Sequence, residues 1–143
     1  MPLTSKNAGV VLWVIQGLLA AVFLFAGGFK LAVPLAALAK VSPLPAPFLK
    51  FIGVCEVSGA MGLILPGLLR IRTGLTPLAA GGLVIIMLGA TVVTVVTQGP
   101  AGAAVPFVVG ILAATVAYGR WRVAPYGQTA RAQDRTPKSA QGA

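Results

Sequence analysis

The sequence has no histidine, one cysteine and only two acidic residues among its 143 residues. Without histidine, the side chain that most often serves as metal ligand and general base is missing. The lone Cys55 cannot form an intramolecular disulfide or a CxxC pair. No nucleophile stands beside a base, and no glycine-rich nucleotide loop follows a strand. We therefore predict no catalytic residues and no metal site, and an enzyme that acts alone is disfavoured.

Charged residues are also scarce, at 9% of the chain. A soluble domain carries about 25%, so this chain cannot cover a water-facing surface with charge. Hydrophobic residues make up 57% of the sequence, and the mean hydropathy is +0.94. Most of the surface is therefore expected to face lipid. The length allows one compact unit and not two domains.

Four apolar segments are long enough, or nearly so, to cross a bilayer as helices. The first is too long for the apolar part of a signal peptide, and no A-x-A cleavage site follows it. No sustained period-two pattern indicates a β-barrel. We predict an all-α integral membrane protein in which residues 1–122 form a four-helix transmembrane bundle and residues 123–143 form a disordered basic tail. The predicted spans are about 8–29, 48–69, 75–96 and 104–118.

The connection from Leu31 to Pro47 is rich in proline and stays apolar. Pro34 is well placed to begin a short helix, 34–40. Pro43 and Pro45 then force an extended chain with few backbone donors. The segment is interpreted either as a stiff connector at the membrane surface or as a lid over the bundle.

Basic residues give the chain a net charge of +9 and are concentrated on one side of the predicted membrane. Only Lys30, Lys40 and Lys50 fall on the side opposite the termini. The positive-inside rule therefore predicts that both termini are cytoplasmic. Basic residues at the ends of apolar spans favour lipid head groups over nucleic acid as a partner. Eight basic residues lie on the side of the termini: Lys6, Arg70, Arg72, Arg120, Arg122, Arg131, Arg135 and Lys138.

Glu56 lies about two turns inside the second span. An ionised group at that depth rarely faces lipid and is a functional candidate by default. Lys30, at the end of the first span, can reach it and neutralise it, although the net stability gained by such a pair can be near zero. The pair is interpreted either as a structural clasp alone or as a clasp that also serves a ligand or proton site.

Other polar side chains favour a small pocket in the same outer half of the bundle. Met87, Thr91, Thr94 and Gln98 recur at spacings of four, three and four, which places them on one stripe of the third span. Gln16 in the first span is expected to hydrogen-bond across a helix pair, with a direct ligand role as the alternative. The predicted ligand or proton site consists of Glu56, Lys30, Thr91, Thr94, Gln98 and Gln16.

Small residues at helical spacing predict where neighbouring helices come close. In the first span these are Gly17, Ala21 and Gly28. In the third span they include Gly81, Gly82 and Gly89. Trp13 is expected in the core or at the membrane interface, and the run Arg120, Trp121 and Arg122 is expected to mark that interface.

Five short runs together resemble the DoxX-like family of small bacterial membrane proteins, over about Gly9 to Arg122. They are FAGGFKL at 25–31, IGVCEVSGAMGLILP at 52–66, TPLA at 76–79, MLGA at 87–90 and GRWR at 119–122. The resemblance implies a four-helix protein of the bacterial cytoplasmic (inner) membrane. It also implies that Lys30 and Glu56 match the family's helix 1 lysine and helix 2 acid. The histidine that many members carry in the third helix is Thr94 here, which argues against a histidine-dependent proton or metal role.

The resemblance adds a function, because related DoxX and DoxD proteins are linked to quinone-coupled sulfur oxidation and to oxidative-stress complexes. It implies an accessory subunit that binds a small lipophilic ligand, a quinone or a lipid, and is associated with a membrane redox complex. The alternatives are a small proton-coupled transporter that uses Glu56 and a structural scaffold of a larger membrane complex. The expected partners are the lipid bilayer and either another membrane protein or a second copy of the chain. No cofactor beyond such a ligand is implied.

Overall fold

The computed structural model describes residues 5–72 and 74–123. Its elements are helices α1 (Ser5–Ala32), α2 (Leu35–Val41), α3 (Ala46–Leu69), α4 (Leu75–Gln98) and α5 (Pro100–Tyr118), followed by a π-helical turn, Gly119–Val123. No strand occurs in the described residues. Four of these helices, α1, α3, α4 and α5, are long and apolar enough to cross a membrane. The predicted all-α fold with four membrane spans is confirmed, whereas the predicted tail lies outside the described residues except for Val123.

The turn between α4 and α5 is much shorter than the sequence predicts. Gly99 has φ of +82°, a conformation that glycine adopts without steric cost. Pro100 follows at the first helical position, where its fixed φ and missing N–H are tolerated. The chain therefore reverses within about one residue, and α5 begins at Pro100 instead of about residue 104. Pro106 consequently lies inside α5.

The spans pack in chain order, α1 against α3, α3 against α4, and α4 against α5, while α1 and α5 touch far less. Many large apolar side chains point outward, including Phe25, which is 78% exposed, and Val96, which is 81% exposed. In water such a surface would be unfavourable, whereas acyl chains cover it at no cost. The buried core of the bundle includes Leu19, Phe23, Leu63, Leu83, Ala113 and Val116.

The two ends of the bundle differ. We call the end that holds α2 and the α4–α5 turn the connector end, and the end that holds the start of α1 and the π-helical turn the terminal end. The short helix predicted at 34–40 is observed as α2, one residue later. Leu38 of α2 is buried, and Lys50 Nζ donates to the carbonyl oxygens of Leu31 at 2.5 Å and Val33 at 2.7 Å. This tethering favours the connector interpretation over a lid.

Close approach of α1 and α3 depends on two glycines. A Cβ atom added to Gly27 would lie 2.8 Å from the carbonyl oxygen of Gly53, and one added to Gly53 would lie 3.1 Å from that of Gly27. The small-residue face predicted on α1 does not pack against another helix of this bundle, because a Cβ added to Gly17 or Gly28 would meet nothing within 4 Å and Ala21 is exposed.

The same correction applies to α4, where Gly81, Gly82 and Gly89 also have open space in place of a side chain. Helical spacing identifies residues that share a face, but it does not say which face turns toward the bundle. The observed α1 contact uses Gly27, the residue directly before the predicted Gly28.

Candidate functional site

Glu56 and Lys30 form a buried ion pair between α3 and α1. Glu56 is ten residues after the start of α3 at Ala46, about 15 Å along the helix axis, and only 2% of its side chain is exposed. Lys30 lies in the last turn of α1, and its Nζ donates to both Oε1 and Oε2 of Glu56 at 2.7 Å. Because each charge meets its counterion, the carboxylate is tolerated in an apolar environment.

The close approach of α1 and α3 at Gly27 and Gly53 positions this pair. A Cβ on Gly53 would lie 3.1 Å from Cβ of Lys30, and a Cβ on Gly27 would lie 3.1 Å from Cβ of Glu56. The missing side chains let the two backbones approach beside the charged residues. Lys30 therefore reaches Glu56 without crossing lipid.

One donor of Lys30 remains for another molecule. An ammonium group has three N–H donors, and the two observed hydrogen bonds engage two of them. The described residues provide no third acceptor for Lys30 Nζ. The side chain is 25% exposed, so a ligand at the connector half of the bundle can approach the ammonium while Glu56 stays buried.

The polar stripe of α4 is not part of this pair. Thr91 Oγ1 donates to the carbonyl oxygen of Met87, and Thr94 Oγ1 donates to that of Ala90, both at 2.7 Å. These hydroxyls therefore have hydrogen-bond acceptors on their own helix, which is common for threonine within helices. Gln98 is exposed at the connector end.

The stripe instead faces α5. A Cβ on Gly102 would lie 3.2 Å from Cγ2 of Thr94 and 3.1 Å from Cβ of Gln98. Thr91 lines a shallow groove with Phe107 of α5. The surface of α4 that meets α3 carries Leu83, whose Cδ2 would lie 2.7 Å from a Cβ on Gly59. The structure thus does not bring Thr91, Thr94 and Gln98 together with Glu56 and Lys30.

A second buried polar cluster lies nearer the terminal end and centres on Gln16. The Gln16 amide is fully buried, and its Nε2 donates to the carbonyl oxygen of Leu63 at 2.5 Å. Its Oε1 accepts from Arg120 Nε at 2.6 Å. The Arg120 guanidinium carbon lies 5.5 Å from the centroid of the Trp13 ring, close enough for a cation–π interaction. The cross-helix role predicted for Gln16 is confirmed, although its partners are not the Glu56–Lys30 pair.

Arg120 is buried in the bundle, at 5% exposed, although the sequence groups it with Trp121 and Arg122 as a marker of the membrane interface. The π-helical turn that begins at Gly119 departs from α-helical spacing, and Arg120 turns inward while Trp121 and Arg122 stay exposed. The sequence run R-W-R carries no signal that separates its two arginines.

A proline lies close to the Leu63 carbonyl that Gln16 contacts. Pro66 lies inside α3 and has no N–H, so the carbonyl of Gly62, four residues earlier, has no helical donor from it. The neighbouring carbonyl of Leu63 accepts from Gln16. Side chains of adjacent helices commonly satisfy the backbone near a proline in a membrane helix.

Comparison with known proteins agrees with this fold. The described residues contain no group of three or more histidine, cysteine and acidic side chains that could hold a metal ion. Searches of curated proteins and of solved structures gave no match. The family model described as the DoxX-like family matches residues 14–116, a range that includes Gln16, Lys30 and Glu56 but ends before Arg120. With four helices able to cross the bilayer and a match over most of its length, this multi-pass membrane protein belongs to the DoxX-like family.

Proposed function

We propose that this protein is an accessory membrane subunit that binds a small lipophilic, quinone-like ligand at the Lys30–Glu56 pair and associates with a membrane redox complex. One observation carries the proposal: a partly exposed ammonium is held by a buried carboxylate and keeps one N–H donor. Thr91, Thr94 and Gln98 are not included, because their side chains face α5.

The chemistry of the pair suits a carbonyl ligand. Glu56 keeps Lys30 positioned at a depth where an isolated ammonium would be costly. A quinone oxygen can then accept the third N–H, and a hydrogen bond from a charged donor is stronger than one between neutral groups. The long apolar tail of such a ligand would lie in the bilayer, which the ligand already shares with the protein.

We further propose that both termini are cytoplasmic and that the membrane is the bacterial inner membrane. At the terminal end, Arg70, Arg72 and Arg122 are exposed. At the connector end, Lys40 is exposed, whereas Lys30 is engaged with Glu56 and Lys50 with backbone carbonyls. Such an excess of exposed basic residues is typical of the cytoplasmic side, and it would open the Lys30 site toward the outer leaflet.

The test compares quinone binding by three purified chains in the same detergent. Wild type is compared with the double variant Lys30→Met/Glu56→Leu, which removes both charges and leaves none unpaired. Lys40→Met is the matched control, because Lys40 is an exposed lysine at the same end of the bundle. Isothermal titration calorimetry with short-tailed ubiquinone and menaquinone gives each dissociation constant.

We expect the double variant to bind at least tenfold more weakly than wild type. A net hydrogen bond to a charged group contributes about 1.5–3 kcal/mol, which corresponds to roughly tenfold to a hundredfold in affinity. Lys40→Met should bind like wild type. If wild type binds neither quinone, or if the double variant binds as tightly as wild type, the proposed site is wrong.

The scaffold function remains as a second candidate, because a face of small residues on α1 is exposed. Gly17 and Gly28 have no neighbour within 4 Å, and small residues let a helix of another protein approach closely. A chain that binds no quinone but retains a partner subunit when purified from native membranes would favour this candidate.

A further inference from the structure

A groove separates α1 from α5 in the terminal half of the bundle. It has a volume of about 500 Å³ and is lined mainly by apolar atoms. It lies between two helices that touch each other little, because α1 packs mainly against α3 and α5 packs mainly against α4. The lining residues on α1 are Ala8, Val11, Leu12 and Ile15, and those from α5 onward are Ile111, Ala114, Thr115, Tyr118 and Gly119.

Groups that suit a membrane surface line the terminal end of the groove or follow it in the next turn of the chain. Tyr118 lines the groove and is exposed, and Trp121 is 72% exposed. Both are residue types that lie at the depth of lipid head groups. Arg122 follows Tyr118 by about one turn and is also exposed. A guanidinium group can bind two phosphate oxygens at once.

The groove is held open by fixed contacts at its terminal end. A Cβ on Gly119 would lie 2.7 Å from Cδ2 of Leu12, so the two helices touch closely at that point. The hydrogen bond from Arg120 to Gln16 also ties the end of α5 to α1. A site that is already formed loses less entropy when its ligand binds.

We infer that the α1–α5 groove holds an acyl chain of an anionic phospholipid whose phosphate contacts Arg122. The apolar lining of the groove suits a lipid chain, and the bilayer around the four spans supplies such chains. The positive charge at the terminal end selects an anionic head group over a zwitterionic one. This inference does not rest on the proposed quinone site.

The first test measures lipid binding by native mass spectrometry of the detergent-solubilised full chain. Phosphatidylglycerol and phosphatidylcholine with identical acyl chains are titrated separately, and wild type should bind the first more tightly. An arginine near the surface contributes about 1 kcal/mol to binding an anionic lipid, so Arg122→Gln should weaken phosphatidylglycerol binding about fivefold. It should leave phosphatidylcholine binding unchanged. Arg72→Gln, which alters an exposed arginine at the same end, is the control and should weaken phosphatidylglycerol binding less than Arg122→Gln does.

The second test fills the groove. Thr115 is exposed, lines the groove and donates to the Ile111 carbonyl of its own helix. Thr115→Phe should therefore occupy the acyl-chain position and lower phosphatidylglycerol affinity at least fivefold. Thr97→Phe is the matched control, because Thr97 is also exposed and donates to Val93 of its own helix but does not line the α1–α5 groove.

Several outcomes would overturn the inference. Equal affinity of wild type for the two lipids would remove the anionic selectivity. An equal loss of affinity in Arg72→Gln or Thr97→Phe would show general surface binding instead of a groove. A wild-type dimer that Thr115→Phe converts to a monomer would identify a second copy of the chain as the occupant. Circular dichroism and thermal unfolding of each variant would verify that it folds.

Discussion

The two buried polar clusters of this protein both provide partners for polar side chains inside an apolar bundle, but they do so through different contacts. In the connector half, Lys30 and Glu56 join two helices through opposite charges. In the terminal half, Gln16 joins three helices, because it donates to Leu63 of α3 and accepts from Arg120 after α5. The first cluster is a pair that apolar residues could replace together. The second depends on one amide that is donor and acceptor at once, which no apolar side chain can imitate.

The exposed fraction of the side chains also differs between the two clusters. Lys30 is 25% exposed, whereas Gln16 is fully buried. A partly exposed charged group is accessible to a ligand, whereas a fully buried amide contacts the helices around it. The comparison is consistent with the proposed ligand site in the connector half and with a structural role for the terminal cluster, and the following predictions test the contrast.

The largest effect is expected when Lys30 alone is removed. Lys30→Met leaves the Glu56 carboxylate buried without a cation, and breaking a buried pair in this way costs about 3–5 kcal/mol. Glu56→Leu should cost less, because Lys30 is partly exposed and its long side chain can turn toward the surface. The double variant Lys30→Met/Glu56→Leu should recover most of the lost stability.

The free energy of unfolding, measured by titration with sodium dodecyl sulfate in mixed micelles, tests this order. If the double variant is as unstable as Lys30→Met, apolar residues cannot replace the ion pair. The pair would then resemble the Gln16 amide in this respect, and the proposed difference between the two clusters would be wrong.

An intermediate effect is expected at Gln16. Gln16→Leu leaves the Leu63 carbonyl and Arg120 Nε without this partner, and each buried polar group left unsatisfied costs about 1–3 kcal/mol. Because Arg120 keeps its contact with the Trp13 ring, we expect a loss in the lower part of the sum of these two costs, about 2–4 kcal/mol, in the same assay. Gln16→Glu keeps an acceptor for Arg120 but loses the donor to Leu63, so it should be less destabilising than leucine. Wild-type stability of both variants would contradict a bridging role for the amide.

The smallest effect is expected at the contact between Gly27 of α1 and Gly53 of α3. Gly27→Ala places a methyl group against the Gly53 carbonyl and Cγ2 of Val57, at 2.8 and 2.9 Å before relaxation. Overpacking of this kind costs about 1–3 kcal/mol, and it should also separate Lys30 from Glu56. Gly17→Ala is the matched control on the same helix, because it meets open space and gains up to about 1 kcal/mol in helix propensity. Equal stability of the two variants would mean that α1 and α3 do not depend on this close approach.

The parts of the site that sequence reasoning found differ from those it missed. Lys30 and Glu56 were predictable, because a lone carboxylate in an apolar span needs a counterion and Lys30 is within reach. Arg120 was missed, because an arginine at the end of an apolar span usually marks the interface. The stripe from Met87 to Gln98 was recognised as one face, but its neighbour is α5 and not α3.

The sequence alone determined the class of this protein and its four spans. Sparse charge and long apolar runs exclude a water-facing surface, and that argument depends on composition and length without reference to packing. Only the tertiary structure decided which faces meet. Helical period places residues on a common face, but the rotation of each helix about its axis follows from packing against its neighbours. That rotation turned Gly27 inward in place of Gly28, buried Arg120 against Gln16, and directed Thr94 away from Glu56.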